Sequence, residues 1–139
     1  MTSPLPEAHA RLEAARAARE LSDLARAFVG ETGTPLSAAE RIRAARRLRA
    51  LVHGLVDRVV LAEALGGEEW AELAAALGRD EESVRGEYGP AVGEWQREAV
   101  APAESAAGDA EALDGWYRRH REDTDPSADQ PVSGLLADC

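Results

Sequence analysis

The feature that most constrains this chain is a helix start with no stop after it for more than twenty residues. Ser37-Ala-Ala-Glu40 reads as a capping box. The Ser37 hydroxyl is placed to accept from the Glu40 amide, and the Glu40 carboxylate to reach back to the Ser37 amide. Ile42, Ala45, Leu48, Val52, Leu55, Val56, Val59 and Ala62 then recur at helical spacing, with no turn signal before Gly66-Gly67. The pattern predicts one helix to about Leu65. Leu51 and Leu61 widen its stripe, so it is expected to pack on more than one side. A helix of that length needs helical neighbours to cover it.

The flanking sequence supplies them. From about Pro4 to Val29, Leu12, Ala15, Leu21, Leu24, Ala25 and Phe28 line one face, with Ser3-Pro4 as a start signal and Gly30 as a stop. Ala, Leu, Glu and Arg dominate this stretch and favour helix. After Gly66-Gly67, a short helix is expected over Glu68 to Leu77, then a tight Gly78-Arg79-Asp80 turn. Asp80 is a natural cap for a helix from Glu81 to Tyr88. Gly89-Pro90 is expected to break that helix, because proline lacks an amide donor and crowds the preceding turn. Another helix is expected over Pro90 to Val100. No strand alternation occurs. The fold class is therefore all-α, a compact bundle of four to six helices.

The chain divides into a helical domain over 1–100, a small-residue linker at 101–108, a docking helix over 109–121 presenting Leu113, Trp116 and Tyr117, and an acidic, flexible tail at 122–139. All 16 basic residues of the 139 are Arg, with no Lys or Asn, a bias that a GC-rich genome explains. The net charge of −10 is unevenly spread. Residues 1–60 carry ten Arg against seven acids; residues 61–139 carry six against nineteen. Such asymmetry marks a basic surface beside an acidic one, or solvated helix faces and a tail. No apolar run suits a membrane span. No signal peptide is visible, and the lone Cys139 forms no internal disulfide, so a cytoplasmic location is expected.

No catalytic constellation stands out. His9, His53 and His120 lack ligand spacing with one another or with Cys139, and no zinc, calcium, phosphate-loop or dinucleotide motif is present. Neither a metal nor a cofactor is expected, and no enzymatic activity.

The stretch from Trp70 to Tyr88 has the spacing of a helix-turn-helix. Two short helices crossing steeply need a small residue at the approach (Ala74), a glycine able to turn at positive φ (Gly78), and apolar contacts on both sides. Leu73 and Leu77 would serve one helix, Val84 and Tyr88 the other. The run Leu61-Ala-Glu-Ala-Leu-Gly-Gly-Glu-Glu-Trp70, continuing through Leu77-Gly78, resembles small actinobacterial proteins of the helix-turn-helix DNA-binding type. Leu113-Asp-Gly-Trp-Tyr-Arg-Arg-His120 and Pro131-Val-Ser-Gly-Leu135 resemble their C-terminal part. The resemblance spans roughly 40–136 and implies a DNA-binding fold at 68–88. Where those proteins read L-G-V-S-R-Q-A-A, this chain has Leu77-Gly-Arg-Asp-Glu-Glu-Ser-Val84. Arg79 and Arg85 thus stand among Asp80, Glu81, Glu82 and Glu87, where carboxylates suit the helix dipole but repel phosphate.

Arg43, Arg46 and Arg47 share an exposed helical face and form a candidate phosphate-contacting or partner-docking patch. The expected function is a homodimeric transcriptional regulator binding double-stranded DNA. The alternative is an interaction module with a degenerate, acidic helix-turn-helix that binds a basic protein. In both, Arg79, Glu81, Glu82 and Arg85 with the arginine patch are the candidate contacts.

Overall fold

The computed structural model of the protein describes residues 6–98 and 103–136. The helices are α1 (Pro6–Gly30), α2 (Ala38–Leu65), α3 (Trp70–Leu77), α4 (Glu81–Arg97) and α5 (Ala103–His120), followed by a short 3-10 turn at Ser133–Leu135. Among the described residues there is no strand, as the sequence pattern implies.

Helices α1 and α2 form an antiparallel hairpin. Arg11 bridges to Glu63 at 3.0 Å at one end. At the other, the Arg41 guanidinium donates to the loop carbonyls of Glu31 (3.4 Å), Thr32 (3.3 Å) and Thr34. Ser37 caps α2, its hydroxyl accepting from the Glu40 amide at 3.1 Å. The Glu40 carboxylate returns to the Ser37 hydroxyl, also at 3.1 Å, rather than to the Ser37 amide. Helix α2 ends at Gly66, with Gly67 at φ 96°. The Ser3-Pro4 start signal lies outside the described residues.

Three expectations are corrected. Helix α4 runs unbroken through Pro90 to Arg97. The residue before a helical proline normally clashes through its Cβ, and Gly89 has none. Tyr88 and Val92, both buried, lie on one side of the continued helix and hold it. The expected linker at 101–108 is helical from Ala103, as the start of α5. Small residues there let α5 approach α1: Ala106 and Ala110 pack with Leu12, Leu113 and Val132. The segment expected as a flexible tail is folded back through residue 136. Val132 is buried, and the Asp114 carboxylate accepts from the amides of Val132 (2.8 Å) and Ser133 (3.2 Å). The Arg121 guanidinium donates to the Ala128 carbonyl at 2.8 Å. An acidic segment stays in place here because Arg118 and Arg121 donate to its backbone carbonyls at Asp129 and Ala128, and Arg121 also pairs with the Asp129 carboxylate at 3.4 Å.

Candidate recognition unit and adjoining cleft

Helix α3 ends in Gly78 at φ 66°, a left-handed position that glycine takes without strain. The Arg79 amide returns to the Ala74 carbonyl at 3.0 Å, closing the turn. The Asp80 carboxylate then caps α4 by accepting from the Ser83 amide at 3.0 Å. Leu73, Ala74, Val84 and Tyr88 are buried together with Val60 of α2, and Trp70, Leu77 and Ala64 pack around them. Val84, at 0 % exposed, is the centre of that contact. The residues singled out from sequence as motif core are thus brought into one cluster, with Gly78 at its turn.

The charged candidates are placed less simply. Arg79 is ion-paired with Glu87 at 2.7 Å and also donates to the Ser83 hydroxyl at 3.1 Å. Arg85 is ion-paired with Glu81, one turn back. Arg79 and Arg85 are therefore both paired with acids of the same unit. Glu82 is exposed and makes no ion pair among the described residues. Arg43, Arg46 and Arg47 are exposed and likewise unpaired among the described residues. Arg47 borders a groove with Asp23, Leu24 and Asp109, on the α1–α5 side of α2.

Beside the α3–α4 unit lies a cleft of about 680 Å³ that the sequence did not reveal. It is walled by α1, α2, α4 and the start of α5, with His9, Leu12, Leu61, Tyr88, Ala91 and Trp95 among its lining residues. Tyr88 joins the two regions: its ring packs in the α3–α4 cluster while its hydroxyl donates to Asp57 Oδ1 at 2.7 Å. Burial, then the bond to Asp57, pushes the Tyr88 phenol well above its usual range, so it stays protonated and donating. His9 is 5 % exposed, and its Nε2 has no hydrogen-bond partner. Desolvation holds its imidazole below the ordinary histidine range, against the opposing pull of Glu13. Acids and arginines alternate at the cleft rim, where Arg16 meets Glu13 (3.0 Å) and Asp109 (3.4 Å).

Neither Asp57 nor His9 stands out in the sequence as a polar group of a cleft, because each is an isolated residue in a helix. The Asp57–Tyr88 bond spans 31 positions, so nothing local signals it. His53 is exposed on α2 and lines no cleft with His9. Among the described residues no cluster of His, Cys, Asp and Glu is arranged to hold a metal ion, and no helix is long and apolar enough to cross a membrane. Comparison with known proteins finds no matching family model, no matching characterised protein and no matching solved structure.

Proposed function

We propose that the protein is a DNA-binding transcriptional regulator of the helix-turn-helix type. The observation that carries this reading is the α3–Gly78–α4 unit. A short helix, a turn opening on left-handed glycine and a second helix with an exposed first turn share one apolar cluster against α2. That is the arrangement by which a second helix is presented to the major groove. The resemblance to small actinobacterial helix-turn-helix proteins supports the same reading. In it, Glu82 is able to accept from a cytosine amino group, while Arg43 and Arg46 contribute phosphate contacts.

One observation favours a second reading. Arg79 and Arg85 are neutralised by Glu87 and Glu81, so the exposed end of α4 is net acidic. A surface of that charge suits a basic protein segment better than a bare duplex.

Fluorescence anisotropy of a labelled duplex, titrated with protein at several salt concentrations, separates the two. DNA binding requires affinity that falls log-linearly with salt, and Glu81→Arg with Glu82→Arg is expected to raise it. No binding at low salt and tens of micromolar protein overturns the regulator reading. Capture of a basic peptide that the same double substitution abolishes supports the interaction module.

A further inference from the structure

Helix α2 is covered on only part of its circumference. Ile42, Ala45, Arg49, Val52, Val56 and Val59 follow one another by three and four residues, the spacing of a coiled-coil seam, and all are exposed. Ile42 is 59 % exposed, Val52 and Val59 44 % and Val56 40 %. Leu48, Leu51, Leu55, Leu61 and Ala62, the rest of the apolar pattern, are half-buried or buried. The Arg11–Glu63 bridge marks the open side of the hairpin, and exposed Ala18, Ala25 and Val29 of α1 continue it. A water-facing row of branched apolar residues on a rigid helix is a surface built to be covered.

We propose that a second copy of this chain covers it, α2 against α2 in antiparallel register. Two features of the helix select that occupant and that direction. The first is that the seam is its own complement. Run antiparallel, Ile42 meets Val59 of the second copy, Ala45 meets its Val56, and Arg49 meets its Val52. Each layer then recurs across a two-fold axis, as an isologous interface requires. The second is charge. The amino half of α2 carries Arg43 and Arg46, exposed and without ion pairs among the described residues. The α3–α4 unit seated at the other end of α2, around Val60, carries exposed Glu68, Glu69, Glu72 and Glu82. In one chain, roughly 25 Å of helix separates Arg43 from Val60. The antiparallel register sets Val60 beside Arg41 of the second copy, bringing the acids of each copy against the arginines of the other. A parallel register would align arginine with arginine.

The geometry has a consequence for the α3–α4 units. Asp57, Val60 and Ala64 contact them from a side of α2 roughly a quarter-turn from the seam, at about 100° per residue. A two-fold axis normal to α2 therefore leaves both units on one face of the dimer. Their attachment points at Val60 fall roughly 28 Å apart along α2, short of the about 34–36 Å between paired recognition helices. The dimer itself does not rest on the DNA-binding reading, and its test is made without DNA.

Light scattering on the full chain carrying Cys139→Ser is expected to give twice the chain mass at tens of micromolar. Val52→Glu with Val56→Glu is expected to halve that mass with unchanged helical circular dichroism, because both residues are exposed in the single chain. Mixing Arg49→Cys chains with Val52→Cys chains in the same background is expected to yield a disulfide-linked heterodimer under mild oxidation. A monomer at those concentrations, or a double-glutamate variant that stays dimeric, overturns the interface. Val52→Cys chains that cross-link to each other better than to Arg49→Cys chains overturn the antiparallel register.

Discussion

His9 is a titratable group held where water does not reach its Nε2. Its folded pKa lies below that of the unfolded chain, so below the ordinary value of 6.5 the unfolded state binds the proton that the folded state refuses. Its contribution is fully present above pH 6.5 and is lost as pH falls toward the depressed value. Thermal melts are expected to show Tm dropping through that window, and His9→Leu to flatten the His9 part of the slope. An unchanged slope in the variant would assign the acid sensitivity to other groups. Tyr88 makes the opposite kind of contact, a satisfied one. Tyr88→Phe keeps the ring in the α3–α4 cluster but leaves Asp57 without its donor, and is expected to cost about 1–2 kcal/mol in urea denaturation. A loss within error would mean that water replaces the hydroxyl at Asp57 without penalty. Neither contact was legible in the sequence, since a lone His and a lone Asp on amphipathic helices look like any boundary residues.

At the scale of the element, capping chemistry was the most readable level. Ser37, Gly66, Gly78 and Asp80 all stand where the chain's local grammar puts them, because a cap is decided by residues within one turn. The break expected at Pro90 does not occur, for the complementary reason. The proline's local cost of about 3 kcal/mol is opposed by the burial of Val92 and of Tyr88, which reaches Asp57 of α2, and by a glycine before it. Pro90→Ala is accordingly expected to stabilise the protein by at least about 1 kcal/mol, read as a higher urea midpoint at unchanged m-value. A lower midpoint would show that the ring, or a bend it imposes on α4, is part of the packing.

Across the whole molecule, the hairpin of α1 and α2 is a frame with α5 and the segment to residue 136 on one side and the α3–α4 unit at one end. Val132→Asp places an unpaired charge among Leu12, Ala106, Ala110 and Leu113. It is expected to release the C-terminal segment and lower stability by about 2–4 kcal/mol, with new protease cleavage between His120 and Val132. Resistance to cleavage would show that Asp114, Arg118 and Arg121 hold the segment alone. The sequence by itself determined the all-helical class and the caps of α2, α3 and α4, because periodicity and capping act over four residues. It also set the α3–α4 spacing through Ala74, Gly78 and Val84. Only the tertiary structure decided that α2's apolar stripe divides into a covered half and an exposed half. The same holds for the ion pairs of Arg79 with Glu87 and of Arg85 with Glu81, and for the buried His9 whose Nε2 has no partner at the cleft. Each of these depends on which elements meet, and that is set by the summed burial of distant side chains rather than by any local run of residues.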